Sequence, residues 1–256
     1  MKNFYDAIYL SPHLDDAALS CGGQIFQQSQ QGQQILIVTI TAGDPPPQGI
    51  STYAQSLHTR WELVTDAVAA RRAEDRTAAQ ILGADVAHWD VPDCIYRYHP
   101  TTGAPFYLSD PEIFGPVHEA EGPLLERLRV QLTSLPAHEQ LYVPLTVGHH
   151  VDHQLTRSAA EDAFDSATLL YYEDYPYAQK ADAVATVIPP ASQRWQAEVI
   201  PLTEAAIQVK LAAIAAYASQ FSTFFKDYAD LERQIRSFTA AVGGERIWRQ
   251  YATHNT

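Results

Sequence analysis

Five short apolar runs, at residues 5–10, 34–40, 85–91, 140–147 and 168–173, alternate with segments patterned as helices at 16–31, 60–82, 111–132 and 151–164. That alternation predicts βαβ units and a parallel sheet. Gly32, Gly83 and Pro136 fall where helices should stop. Residues 186–202 read as a β-hairpin with Pro189-Pro190 and Ser192 near its turn, and 203–242 as two helices joined around 221–225. The expected fold is α/β: a mostly parallel sheet flanked by helices, with a C-terminal β-hairpin and helices. No repeat or low-complexity linker interrupts the pattern, so one domain over 1–256 is expected. The Pro45-Pro46-Pro47 loop with Gly49, and the loop 96–109, are long enough to serve as lids or binding loops.

The polar residues gain meaning from where the runs end, because open α/β sheets bind ligands outside the carboxyl ends of their strands. The first run delivers His13, Asp15 and Asp16, and the second Thr41 and Asp44. The third delivers Asp90 and Asp93, the fourth His150, Asp152 and His153, and the fifth Glu173 and Asp174. Two clusters stand out, Ser11-Pro12-His13-Leu14-Asp15-Asp16 and His149-His150-Val151-Asp152-His153. Histidines and carboxylates at two distant strand exits point to a divalent metal site.

A catalytic zinc commonly takes three protein ligands and keeps one position open. His13 and Asp16, spaced i, i+3 across a strand-to-helix turn, can share an ion, and His153 completes the set. Asp15 is then free to act as general base toward a metal-activated water. His150 is expected to stabilise an oxyanion or protonate a leaving amine in its imidazolium form, with Asp152 holding it by a hydrogen bond. Asp44 and Glu173 are further candidates for substrate contact. The plainer alternatives are that Asp15 or Asp16 caps the following helix, and that His150 and His153 are surface residues of a helical first turn. The other histidines, His58, His88, His99, His118, His138 and His254, lack a partner cluster and are assigned to loops or packing. Arg71, Arg72 and Glu74 are read as a salt-bridged solvated face. The tyrosines around Glu173 suit rim packing or stacking on a sugar.

Composition narrows the chemistry. The chain is 46% hydrophobic and 18% charged, as a globular protein is. Its formal charge of -13 opposes an extended nucleic-acid surface or docking on an anionic membrane. No signal peptide or spanning segment is read, and two cysteines, Cys21 and Cys94, suit a reducing cytoplasm. A small-molecule partner fits best, and a homo-oligomer is compatible with the sequence.

Ser11-Pro12-His13-Leu14-Asp15-Asp16 resembles the signature of the PIG-L/LmbE family of zinc-dependent N-deacetylases, and His150-Val151-Asp152-His153 resembles that family's second metal element. Arg71-Arg72-Ala73-Glu74, Leu82-Gly83, Asp93, Tyr172-Glu173-Asp174-Tyr175-Pro176-Tyr177 and Gly243-Gly244-Glu245 are similar to other segments of its members. The resemblance implies a Rossmann-like fold, with zinc on His13, Asp16 and His153, Asp15 as base, and His150 assisting the tetrahedral intermediate. It also implies substrate contacts from Arg71 and Asp93, and removal of an N-acetyl or other N-acyl group from an amino sugar, glycoconjugate or sugar-bearing metabolite. Ala17 departs from the pattern, since many members carry an acidic residue there, and Leu14 replaces a frequent proline. Two competing readings remain at this level. One is a non-haem iron(II) oxygenase using His13, Asp15 and His153 as a facial triad. The other is a non-catalytic metal- or sugar-binding protein.

Overall fold

Strand β1 (Phe4–Ser11) lies in the middle of a sheet whose order is β3-β2-β1-β4-β5-β7-β6 in a computed structural model that describes residues 2–47, 49–61 and 66–251. Here β2 is Ile35–Thr39, β3 Asp85–His88, β4 Ala137–Pro144, β5 Leu169–Tyr172, β6 Trp195–Ile200 and β7 Glu245–Gln250. The first five strands run parallel, and β7 is antiparallel to both β5 and β6. Strands buried on both faces read as nearly continuous apolar runs, which is why β2 is Ile-Leu-Ile-Val-Thr.

Alternate residues of β1 serve two cores. Ala7 and Tyr9 pack on α1 (Asp16–Gln30), α3 (Ala67–Leu82) and α7 (Glu204–Ala215), through Ala18, Cys21, Ala78, Leu82 and Ala213. Ile8 and Leu10 face α5 (Gly122–Leu132) and α6 (Val151–Ala163), through Leu128, Leu132, Leu155 and Ala159. Helix α1 is sandwiched between the sheet and α7, so its residues from Asp16 through Ile25 are all buried.

Several sequence-based expectations change. The helix expected at 60–82 is instead α2 (Thr52–Arg60) and α3, with 62–65 lying outside the described residues. The helix expected at 111–132 divides into a short α4 (Asp110–Ile113) and α5, because the intervening Phe114–His118 stretch carries Gly115 and Pro116. The hairpin expected at 186–202 does not form. Only β6 does, and its partner is β7, about fifty residues further along. The C-terminal helical region holds three helices: α7, α8 (Ala218–Phe224) and α9 (Tyr228–Val242). Among the described residues, no helix is long and apolar enough to cross a membrane.

The functional consequence lies between β1 and β4. The chain leaves β1 toward β2 and β3 on one side and returns to β4 on the other. This is a topological switch point, where a crevice opens at the carboxyl ends of the strands.

Candidate active site

The turn after β1 and the turn after β4 meet in that crevice. Ser11 staples the first one: its hydroxyl donates to the His13 carbonyl (2.7 Å) and accepts from the Ala17 amide (3.0 Å). Ala17 itself is 2% exposed in the apolar core, so an acidic side chain there would be buried among Cys21 and Leu82. Asp15 occupies the N-cap position of α1 without making a capping bond. Asp16, the next residue, turns its carboxylate back, and Oδ2 accepts from the His13 amide (2.7 Å). That bond closes the turn before the helix and does not cap it, so the Asp16 carboxylate faces the site. In the second turn His150 caps α6, its Nδ1 accepting from the Asp152 amide at 3.2 Å.

Three donors converge. Asp16 Oδ2 is 3.1 Å from His13 Nδ1 and 3.3 Å from His153 Nε2. The far nitrogen of each imidazole is held by a different buried carboxylate. His13 Nε2 lies 3.0 Å from Asp152 Oδ2, and His153 Nδ1 lies 2.5 Å from Asp174 Oδ1. With the remote nitrogens committed as donors, the near nitrogens face a common point, where a cation could replace their protons and take up their lone pairs. His153 Nε2 is fully buried and makes no hydrogen bond, its 3.3 Å approach to Asp16 being misaligned for one. An orphaned buried nitrogen beside a carboxylate calls for an occupant. Imidazoles anchored by carboxylates are the usual outer partners of metal ligands, so the donor set fits a divalent cation.

The electrostatics agree. Burial opposes charge on His13 and His153, yet Asp152 and Asp16 hold the former well above the usual imidazole range, and Asp16 and Asp174 raise the latter to about 9. Burial likewise opposes ionisation of Asp16, but His153 and His13 keep it well below the ordinary carboxylate range. The pocket favours positive charge at the point where the three donors meet. Asp15 differs. Burial, and then the neighbouring Asp16, push its carboxyl up to about 6, against the pull of Arg71 and His13. It is 6% exposed and lines the cavity, and its carboxylate makes no hydrogen bond among the described residues.

His13, Asp15, Asp16 and His150 floor a cleft of about 780 Å³. Its walls include Arg71, Asp93, Trp61, Phe114 and Tyr177. Arg71 was expected on a solvated face. It is instead buried, with its guanidinium 4.8 Å above the Trp61 ring and its Nε without a partner. Asp93 Oδ2 is 3.9 Å from His13 Nε2, and Oδ1 accepts from the Ile95 amide.

Four expectations are corrected. Asp152 does not hold His150 by its carboxylate. It is taken up by His13, by the Cys94 amide (3.1 Å) and by Arg97 (2.5 Å), whose Nε in turn donates to Glu121. The imidazolium form expected for His150 is disfavoured: burial, and then the neighbouring His13, hold the ring well below its ordinary range. With Nδ1 accepting, the neutral ring carries its proton on Nε2. Asp44 is exposed and binds Arg72 (2.8 Å) away from the cleft. Glu173 is buried against Arg246 and the Trp248 indole (2.8 Å), bracing β5 on β7. Asp174 and Arg97 are the residues that sequence reasoning did not single out. Asp174 was visible as a rim carboxylate, whereas Arg97 had no signal.

Among the remaining histidines, His58 meets Tyr96, His88 meets Asp75 (2.9 Å) and His138 meets the Pro136 carbonyl (2.8 Å). Neither these nor His99 and His118 line the cleft, and His254 lies outside the described residues.

The sequence profile of the PIG-L family, described as GlcNAc-PI de-N-acetylase, matches residues 8–164, which carry both histidine–aspartate clusters. The chain belongs to the PIG-L family. A relative of similar length is the 2'-N-acetylparomamine deacetylase of Niallia circulans, 26% identical over 95% of this chain and 90% of that one. Among solved structures, the zinc-inhibited form of teicoplanin deacetylase Orf2 superposes with a TM-score of 0.80 at 27% identity, covering 98% of this chain and 99% of the other. The A40926 pseudoaglycone deacetylase Dbv21 gives 0.73 at 27%, with the same coverage. This kinship of a PIG-L chain with deacetylases overturns the iron(II) oxygenase alternative.

Proposed function

We propose that this PIG-L chain is a metal-dependent N-deacetylase acting on an amino sugar, glycoconjugate or sugar-bearing metabolite, and that residues 1–256 work as one domain. The relatives named above, deacetylases of sugar-bearing molecules, support the reaction class. The observation that carries the site assignment is the orphaned His153 Nε2 beside Asp16 and His13, with both imidazoles anchored from behind.

His13, Asp16 and His153 would hold the ion, and zinc is the metal that such a His-Asp-His set most commonly takes, with iron(II) the alternative. When bound, it would supply Lewis acidity at the substrate carbonyl and lower the pKa of water to about 7. The protein residues supply the rest. Asp15, unengaged and near-neutral in affinity for protons, takes the proton from the attacking water on its free carboxylate. His150, pinned at Nδ1, presents Nε2–H to the cavity, where it donates to the developing oxyanion. Asp15 then returns its proton to the departing amine. Arg71 and Asp93 bracket the space where the sugar hydroxyls would sit. Both cysteines are free and buried, in keeping with a cytoplasmic enzyme.

Elemental analysis of wild type and His153→Ala, purified alike, tests the reading. Near-stoichiometric metal that is lost in the variant, with amine release from N-acetylated sugars by wild type, is the expected result. Tight metal with no turnover of any N-acetyl substrate would favour a purely binding role, and a wild type that takes up no zinc would remove the mechanism.

A further inference from the structure

A second cavity, of about 900 Å³, opens beside the first and shares Phe114 and Tyr177 with it as a common wall. This aromatic pair stands directly over the reactive centre. The Phe114 ring meets the His150 ring edge-on at 5.3 Å, the Tyr177 ring meets His153 at 6.1 Å, and the two aromatic rings are 5.7 Å apart. The wall is fixed in place. Gln154 Nε2 holds the Gly115 carbonyl at 2.8 Å, tying the Phe114 segment to α6. Beneath Tyr177 lies Gly148, at φ +93, where a Cβ would come within 2.4 Å of the Tyr177 ring. Any other residue there would displace the ring from the histidine-bearing turn.

The far side of the wall is chemically unlike the metal cleft. It is bounded by Ala181 and Ala183, with Lys180, Asp182 and Thr186 beside them, and none of the residues lining it belongs to the proposed metal or acid–base set. Phe114 remains 37% exposed, an aromatic surface left open at the junction of the two cavities. A single N-acylated sugar needs only the first.

We infer that the second cavity is a subsite for the non-reacting part of the same substrate: an apolar or aromatic aglycone carried by the amino sugar. The inference rests on the deacetylase reading above. With the amide at the metal donors, the sugar lies between Arg71 and Asp93, and the aglycone crosses Phe114 to pack against Ala181 and Ala183. Contacts made there are remote from the bond that breaks, and they favour larger glycoconjugates over free sugars.

The test compares kcat/KM of the zinc-loaded full chain on free N-acetylglucosamine and on its nitrophenyl glycoside. Burial and stacking of one ring should favour the glycoside by about tenfold or more in wild type, shrinking to about threefold or less in Ala181→Trp, whose indole fills the cavity. Thr186→Trp, at another position of the lining, should reduce the ratio in the same way, with zinc content and melting temperature reporting that each variant is folded. Hydrolysis of both substrates at similar kcat/KM by wild type overturns the inference and leaves the deacetylase reading intact. So does a glycoside preference that survives both filling variants. Absence of turnover on either substrate removes the deacetylase reading, and this inference with it.

Discussion

Asp174→Asn isolates the contribution of an anchored imidazole. Both Asp174 oxygens are engaged in the interior: Oδ1 accepts from His153 Nδ1 at 2.5 Å, and Oδ2 accepts from the Val147 amide at 2.9 Å. Asparagine has one acceptor for these two donors. If its carbonyl keeps the buried Val147 amide, its NH₂ faces His153 Nδ1 and makes that nitrogen an acceptor. The ring proton then moves to Nε2, the atom that faces Asp16, and the lone pair needed there is lost. Removing such an outer partner generally weakens metal binding about 10–100-fold, which corresponds to about 1.4–2.7 kcal/mol. Zinc affinity measured by competition with a chelator of known strength, on wild type and variant, reads this directly. A folded Asp174→Asn chain that binds zinc within about twofold of wild type would refute the tautomer argument, since that argument requires at least the lower end of the range.

Three other outcomes are expected. Asp15→Asn should retain its zinc and lose about 10²–10⁴-fold in kcat, the usual contribution of a positioned base; wild-type turnover in the metal-loaded variant would remove Asp15 from the mechanism. Because the Asp15 carboxyl is raised to about 6 and acts deprotonated, kcat/KM at saturating zinc should climb as pH rises and level off above the pKa of this group. A bound dication can only lower that pKa, so an acid limb centred well above 6 in the pH–rate profile would contradict the assignment. In the core, Glu245 accepts from Lys210 Nζ at 2.7 Å and from the Gly23 and Gln24 amides, with both charged side chains almost wholly buried. Glu245→Ala should cost about 3–5 kcal/mol in urea unfolding, as expected when one partner of a buried pair is removed, and a loss below about 1 kcal/mol would show that Lys210 finds another partner.

What the sequence disclosed follows from the range of the interactions involved. Helix and strand patterns around β1–α1 and β4–α6 are set within a few residues, and so were the His13–Asp16 and His150–His153 spacings. That the two turns meet depends on β1 pairing with β4, which the general rule for α/β crevices anticipates. The orientation of Asp152 is another matter. Its position on the first turn of α6 was readable, but its partner was set by Arg97, a lone arginine in a loop 55 residues away. Strand β7 escaped for the same reason: its pairing with β5 and β6 is non-local. Glu173 and Asp174 are neighbours at one strand end, pointing to opposite sides by the strand's period of two. One braces Trp248 and the other braces His153, and their sequence position alone does not tell which.

The two halves of the proposed metal site, joined by the His13–Asp152 contact, stand 139 residues apart in the chain. An ion gripping both would act as a clasp, closing a loop that includes β2, β3 and every helix from α1 to α5. Long loops are the ones whose closure restricts the unfolded chain most. Metal supply would therefore set the lifetime of the folded protein as well as its turnover, and an enzyme molecule starved of its ion would be among the first cleared by proteolysis.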